Sequence, residues 1–159
     1  MRTICVLCVA MSLLVGMMAV GARSKEIDED AIRGVVDRFM EAWNRHDAHA
    51  FAELFAEDAD FTNVMGMGAR GREKIEAFHA PRFSGMFKNS HLTSTDSKVR
   101  LIRADIATVD VRWQMTGATD PQGNPWPNRK GLMNFVAAKE KGKWEILVMH
   151  NQELMEEGK

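Results

Sequence analysis

The chain opens with an apolar stretch unlike the rest of the sequence. Arg2 is the only charged residue before a nearly unbroken apolar run over residues 4–20, which ends in small residues and gives way to a polar chain. A basic start, an apolar run and a small-residue exit are typical of a secretory signal peptide. We therefore expect residues 1–22 to be cleaved and residues 23–159 to form the mature protein. The run is slightly long for a signal peptide, so an uncleaved membrane anchor is the alternative.

Three helices are predicted in the first half of the mature chain. Apolar residues recur at helical spacing over residues 28–44, and the acidic residues at the start of this segment suit the positive end of a helix dipole. After a turn, Asp47 can cap a short second helix whose apolar positions continue to Phe55. A third helix is predicted to begin at Gly71 and to be limited by Pro81.

The remaining pattern predicts strands. Residues 108–116 alternate between apolar and polar side chains, as expected of a strand with one buried face. The other predicted strands span residues 61–65, 91–103, 131–139 and 144–151. Consecutive strands joined by turns pair antiparallel. We therefore expect an α+β fold in which three N-terminal helices pack in the concave face of a curved, mostly antiparallel sheet, with an apolar pocket between the two layers.

Composition narrows the class of protein. Both cysteines, Cys5 and Cys8, lie in the leader, so the mature chain would have neither a disulfide nor a thiolate metal site. The chain has 21 Lys and Arg against 22 Asp and Glu, with no basic run, which argues against a nucleic-acid partner. The total length of 159 residues suits a leader and one domain.

Several motifs resemble one superfamily. They are Ala42-Trp43-Asn44, the segment from Leu54 to Phe61, Gly71-Arg72-Glu73-Lys74-Ile75, the segment from Gly142 to Ile146, and His150-Asn151. With the order of elements, they are similar to the nuclear-transport-factor-like (ketosteroid-isomerase-like) superfamily and, within it, to the SnoaL-like and SgcJ/EcaC group. The resemblance covers residues 27–155. It implies an α+β cone with a pocket, in a superfamily of isomerases, cyclases, dehydratases and proteins that only bind or assemble.

A histidine and an amide are the first candidates for catalysis. Counting by two along the last strand from Trp144 places His150 on the apolar face, where an imidazole could act as general acid or base. Asn63 lies between Phe61 and Met65 on one strand face and could donate a hydrogen bond to a carbonyl oxygen. The alternative for each is a structural hydrogen bond to a neighbouring element or to the backbone.

Other residues are expected to contact a ligand. His79 should lie on the inward face of the third helix, although a lone histidine there is more often part of the core. Asn134 alternates with Leu132 and Val136 and is expected to point inward. Asn151 is also a candidate ligand contact, although it points to the face opposite His150 unless a bulge intervenes. The further candidate ligand contacts are His91, Trp43, Trp113 and Met65. Arg129 could meet an anionic substrate at the pocket mouth, with a solvated arginine as the alternative.

The sequence lacks the residues and motifs of the best-known chemistry of this fold and of common cofactor sites. The sequence contains no tyrosine, so the Asp-and-Tyr site of ketosteroid isomerases cannot be carried over. His46 and His49 lack further ligands at suitable spacing, and we predict no metal site. The glycines between the first strand and third helix lack the Gly-x-Gly-x-x-Gly spacing of a nucleotide-binding loop, and we predict no cofactor.

The sequence therefore predicts an exported, periplasmic or secreted single-domain protein that holds a small, mostly apolar molecule. Acid–base chemistry on a carbonyl compound would be its activity, and a non-catalytic binding protein or a homo-oligomeric assembly module are the alternatives. No stable membrane anchor is expected after cleavage. A homodimer through part of the outer sheet face is expected, because Met133 and Phe135 would make that face apolar on one strand.

Overall fold

The computed structural model describes residues 25–154, so the expected signal peptide at residues 1–22 lies outside the described residues. The helices are α1 (residues 25–44), α2 (Ala48–Ala52) and α3 (Arg72–Ser84). The strands are β1 (Phe55–Thr62), β2 (Gly68–Arg70), β3 (His91–Arg103), β4 (Ile106–Thr116), β5 (Arg129–Glu140) and β6 (Lys143–Glu153). None of the helices within residues 25–154 has the length and apolar character needed to cross a bilayer.

The strands form one sheet in the order β2-β1-β6-β5-β4-β3. Every neighbouring pair is antiparallel except β1 and β6, which run parallel and place the first strand of the chain beside the last. The sheet is curved and unclosed, and the helices cover its concave face. The α+β architecture expected from the sequence is therefore confirmed.

Some element boundaries differ from the expectation. The second helix ends at Ala52, and Phe55 begins β1, because a short apolar segment suits either a helix or a buried strand. Strand β1 ends at Thr62, so Asn63 lies in the following turn. Pro81 is inside α3 and does not end it. The turn beyond Pro81 is retained because Phe83 is buried in the core.

The inner face of the sheet carries the core. The apolar side chains predicted on one face of β4 are buried, as expected. On β5, Met133 and Phe135 pair directly with Val111 and Val109, and residues paired across a ladder share one face. Met133 and Phe135 are therefore buried, and the expectation that they lie on the outer face was wrong.

Polar contacts anchor both ends of α1 to the sheet. Near its start, the buried Asp28 carboxylate accepts hydrogen bonds from Lys139 Nζ at 2.6 Å and Trp144 Nε1 at 3.1 Å. At its end, Asn44 donates to the carbonyl of Leu92 at 2.9 Å and accepts from the backbone N–H of the same residue at 2.8 Å. The helix is therefore held at a fixed height above the concave face.

Candidate functional site

A cavity of about 530 Å³ lies between the helices and the concave face of the sheet. Met65, in the turn after β1, lines the cavity and is 72% exposed, which places an opening to solvent near this turn. Aromatic and methionine side chains make up most of its wall, including Phe39, Trp43, Phe51, Phe61, Trp113 and Met149. Such a wall favours an apolar occupant, and the volume suits a small organic molecule.

His79 is the most deeply placed titratable group in this wall. It projects from α3 and is only 2% exposed. Five aromatic rings surround the imidazole, with ring centroids 4.3 to 6.3 Å away. They belong to Trp43, Phe51, Phe61, Phe78 and Phe83. These rings exclude water from most of the imidazole and leave it in an apolar environment.

The backbone determines which nitrogen of His79 carries the proton. Nδ1 lies 2.7 Å from the carbonyl oxygen of Ile75, one helical turn earlier. A carbonyl can only accept, so Nδ1 must donate its N–H, and Nε2 of the neutral ring has a free lone pair. Within residues 25–154, every side-chain nitrogen or oxygen that is fully buried has a hydrogen-bond partner. Nε2 has no partner among these residues, so this atom is not fully buried. Nε2 therefore reaches the open cavity.

The environment also keeps His79 neutral. Burial lowers the pKa of the imidazole to about 4, and the positive charge of Arg82 acts in the same direction, against the raising effect of the Ile75 carbonyl. At neutral pH, the cavity therefore contains an unprotonated imidazole whose Nε2 can accept a hydrogen bond or a proton.

A β-bulge in β6 decides which residues of this strand face the cavity. Val136 pairs with Val148 and Ala137 pairs with Ile146, so β6 contains one extra residue at this point. Because an extra residue reverses the alternation beyond it, Asn151 lines the cavity. His150 is exposed in a separate outer groove beside Asp60 and Arg70. The expectation that His150 faces the pocket was therefore wrong.

Trp113 holds the Asn151 amide in a fixed orientation. The indole Nε1 of Trp113 donates to Asn151 Oδ1 at 2.8 Å, which leaves the Nδ2 hydrogens available as donors. The indole crosses β5 at Gly131, where an added Cβ would lie 2.1 Å from a ring carbon of Trp113. Only glycine at this position lets a side chain on β4 reach one on β6.

Asn63 lies at the cavity mouth, in the turn after β1. Its Oδ1 accepts from the backbone N–H groups of Met65 and Met67, both at 2.9 Å. These bonds shape the turn and match the structural alternative considered for this residue. The Nδ2 group is the part of Asn63 that is not used in the turn.

The other expected ligand contacts divide between the two faces of the sheet. Trp43, Trp113 and Met65 line the cavity. Asn134 lies on the outer face, where its Nδ2 donates to Asp110 at 2.6 Å, because its neighbours on β5 are the inward-facing residues. His91 is exposed at the start of β3 and is not part of the cavity wall. The expectations for Asn134 and His91 as cavity residues were therefore wrong.

Two arginines approach the cavity. Arg129 forms a two-pronged ion pair with Glu153, with Nε and Nη2 each 2.7 Å from a carboxylate oxygen, and its guanidinium carbon lies 4.6 Å from the Trp126 ring centroid. Only 13% of the Arg129 side chain is exposed, so it is not a solvated arginine. Arg82 stacks on Phe78, with 3.6 Å from its guanidinium carbon to the ring centroid.

Sequence reasoning did not identify Arg82, Gly131 or Trp126 as site residues. Arg82 lies three positions after His79, a spacing that places two helical residues on neighbouring positions of one surface, and this relation was available from the sequence. No sequence signal shows that Gly131 lies under an indole from another strand. Within residues 25–154 there is no group of three or more His, Cys, Asp or Glu side chains arranged to hold a metal ion.

The fold and the cavity define an α+β cone protein with a pocket sized for a small molecule. The sequence profile of the SnoaL-like domain matches residues 36–145, and the chain belongs to this family. This confirms the resemblance to the wider nuclear-transport-factor-like superfamily. No curated protein matches the chain.

Solved structures share the fold. An uncharacterized protein with a cystatin-like fold from Caulobacter vibrioides is 27% identical, with a TM-score of 0.75 over 80% of this chain and 89% of that one. A putative scytalone dehydratase from Novosphingobium aromaticivorans is 15% identical, with a TM-score of 0.73 over 84% and 89% of the two chains. A putative calcium/calmodulin-dependent protein kinase II association domain from Xanthomonas campestris is 24% identical, with a TM-score of 0.65 over 79% and 86%.

Proposed function

We propose that this protein binds a small, mostly apolar molecule in the cone cavity and carries out acid–base chemistry on it without a cofactor. The observation that carries the proposal is the unprotonated Nε2 of His79, which opens into an aromatic cavity of about 530 Å³. A wall with few polar groups binds through apolar contact, and those groups orient the ligand.

In this proposal His79 is the base and Asn151 is the hydrogen-bond donor. Nε2 removes a proton from a carbon next to a carbonyl group, and the Asn151 Nδ2–H donates to the oxygen on which negative charge develops. The imidazolium then returns the proton to the same carbon or to another one, which gives exchange or isomerisation. The structural neighbour named a putative scytalone dehydratase is compatible with such chemistry in this fold.

The low basicity of His79 makes the hydrogen-bond donor necessary. A pKa of about 4 gives the imidazole the basicity of an ordinary carboxylate, whose reference pKa is about 3.9 for Asp. A base this weak removes a carbon-bound proton only under two conditions. The enolate must be stabilised by a hydrogen bond, and the negative charge of the enolate must stabilise the protonated His79. The Trp113 bond that orients Asn151 therefore supports the proposed chemistry directly.

A deuterium-exchange experiment tests the proposal. The ketone 2-tetralone is apolar, fits the cavity by size and has acidic hydrogens beside its carbonyl, so exchange in D2O can be followed by proton NMR. We expect the protein to accelerate exchange and the His79→Gln variant to lose the acceleration. The variant His150→Gln, altered on the opposite face of the sheet, should keep the wild-type rate. Loss in His150→Gln with retention in His79→Gln would overturn the assignment.

A non-catalytic binding protein is the second candidate, favoured by the small number of polar groups on the cavity wall. It would bind 2-tetralone without accelerating exchange. Fluorescence quenching of Trp43 and Trp113, which line the cavity, measures binding separately from exchange. Binding with no exchange above the buffer rate would favour this second function.

We also propose that the protein is exported to the periplasm or secreted, and that it forms a homodimer. The composition of residues 1–22 supports export. Half-buried apolar side chains on the outer face of β5, Leu132 and Val136, support association through the sheet. Export is tested by N-terminal sequencing of protein from the periplasmic fraction, which should give a start near residue 23. Dimerisation is tested by light scattering of the same protein, which should give the mass of a dimer.

A further inference from the structure

The charges around the cavity do not balance. Among the described residues that line it, the charged side chains are Arg82 and Arg129, and none is acidic. His79 does not add to this charge, because burial lowers its pKa to about 4. The occupant of the cavity therefore meets a wall that is apolar but carries cationic groups at specific positions.

The charge of Arg129 is already compensated. Both of its contacts with Glu153 measure 2.7 Å, the geometry of a two-pronged guanidinium–carboxylate pair. The same contact lowers the pKa of Glu153, so this carboxylate stays ionised to a lower pH than an ordinary glutamate. Arg129 therefore contributes a flat polar surface beside Trp126, with little net charge.

Arg82 has no such partner among residues 25–154. Its Nη1 donates to the Phe78 carbonyl, and its guanidinium carbon lies over the Phe78 ring, 3.6 Å from the centroid. No carboxylate within residues 25–154 lies at ion-pair distance from it. A guanidinium has five N–H donors, and four of them are not used by this contact. The stacking fixes a half-buried cation in one orientation without neutralising it.

We propose that the ligand is an amphipathic anion, whose apolar body fills the cavity and whose carboxylate binds Arg82. This inference rests on the proposed function, since it names the class of molecule that the same cavity takes. A carboxylate would provide the missing counter-charge and use the free N–H groups in a two-pronged contact. An alcohol, amide or hydrocarbon of the same shape would leave the cation unpaired.

A matched pair of probes tests the proposal. 2-Naphthylacetate and 2-naphthylacetamide have the same ring system and nearly the same shape, and differ in charge. Isothermal titration calorimetry at neutral pH should show the carboxylate binding roughly 10- to 100-fold more tightly, the range expected for hydrogen bonds to a charged group. In the Arg82→Gln variant, this preference should fall to within about 2-fold, while the amide keeps its wild-type affinity.

Arg112→Gln is the control variant. Arg112 is exposed on the outward face of β4, so its substitution removes the same charge from the protein but not from the cavity. It should leave the preference unchanged. Equal binding of both probes to the wild-type protein, or an equal loss of preference in Arg112→Gln, would overturn the anion assignment and leave the cavity as a binding site. Failure of both probes to bind would instead count against the proposed function itself.

Discussion

At the scale of single residues, the chemistry of His79 follows from its immediate neighbours. The Ile75 carbonyl determines the tautomer, and the surrounding rings keep the imidazole neutral. The helical spacing of Ile75 and His79 made the inward orientation predictable from the sequence. The tautomer and the depressed pKa were not predictable, because they depend on rings contributed by α1, α2 and β1 as well as by α3 itself.

The depressed pKa of His79 predicts how stability depends on pH. Well above pH 6.5 the imidazole is neutral in both the folded and unfolded states. As the pH falls from 6.5 to about 4, only the unfolded chain takes up the proton, so the free energy of unfolding decreases. Across this whole window, protonation of the unfolded state lowers the free energy of unfolding by roughly 3 kcal/mol. Urea denaturation at pH 7 and pH 5 should show about 2 kcal/mol of this change, because pH 5 lies inside the window.

His79→Phe is the matched variant for this measurement, because it keeps an apolar ring but cannot titrate. Its stability should change less than that of the wild type between pH 7 and pH 5. His49, whose pKa is raised by its hydrogen bond to Glu76, is present in both proteins and cancels in the comparison. Parallel pH profiles for the two proteins would contradict the depressed pKa of His79.

Gly131 gives a second prediction at this scale. In Gly131→Ala, the new Cβ would lie within 2.4 Å of Trp113 ring carbons and of the Gln152 carbonyl oxygen, so the indole must move. We expect a loss of about 1–3 kcal/mol in the free energy of unfolding, as for other overpacked cores, together with weaker binding of naphthyl probes.

Gly34→Ala is the control for Gly131→Ala. Gly34 lies in α1, where the nearest atom to an added Cβ is the mobile end of Arg38 at 3.4 Å. Alanine should be neutral there or stabilising by up to about 1 kcal/mol, because it favours helix more than glycine does. If both variants showed the same stability, Gly131 would not be needed for the packing of Trp113.

At the scale of elements, the positions of the strands along the chain were more predictable than which side of each strand faces the cavity. The β3 bounds agree with the expected strand over residues 91–103, and the alternation of β4 correctly identified its buried side. Counting by two failed on β6 because of the extra residue before Val148, which exchanged the roles of His150 and Asn151. A bulge depends on pairing with a neighbouring strand, and a single strand's pattern does not reveal it.

The anchoring of α1 predicts a strong effect for one polar substitution. Asp28→Ala removes two hydrogen bonds and leaves the buried Trp144 Nε1 without its partner. We expect a loss of about 2–4 kcal/mol in the free energy of unfolding, because an unsatisfied buried donor adds its desolvation cost to the lost bond. Asp30→Ala, on the exposed side of the same helix, should change stability by less than about 0.5 kcal/mol. Thermal denaturation of both variants provides the comparison.

At the scale of the whole molecule, the order of elements was enough to predict an α+β cone with a cavity. A curved sheet with one apolar face must be covered by helices, and this requirement is visible in the alternation of β4 and the helical spacing in α1. The polar groups inside the cavity were less predictable. Of the two residues first expected to be catalytic, Asn63 lines the cavity mouth and His150 lies outside the cavity. Asn151, which alternation alone would place on the opposite face, lines the cavity instead.

The central claim is that an unprotonated His79 Nε2 faces the cavity and meets the ligand there. Nitrogen-15 NMR of histidine-labelled protein at pH 7 tests it most directly, with 2-naphthol as an apolar hydroxyl donor. We predict that His79 is in the Nδ1–H tautomer, and that saturating 2-naphthol shifts its Nε2 resonance as a hydrogen bond forms. An Nε2–H tautomer, or an Nε2 resonance unchanged by bound 2-naphthol, would contradict the account.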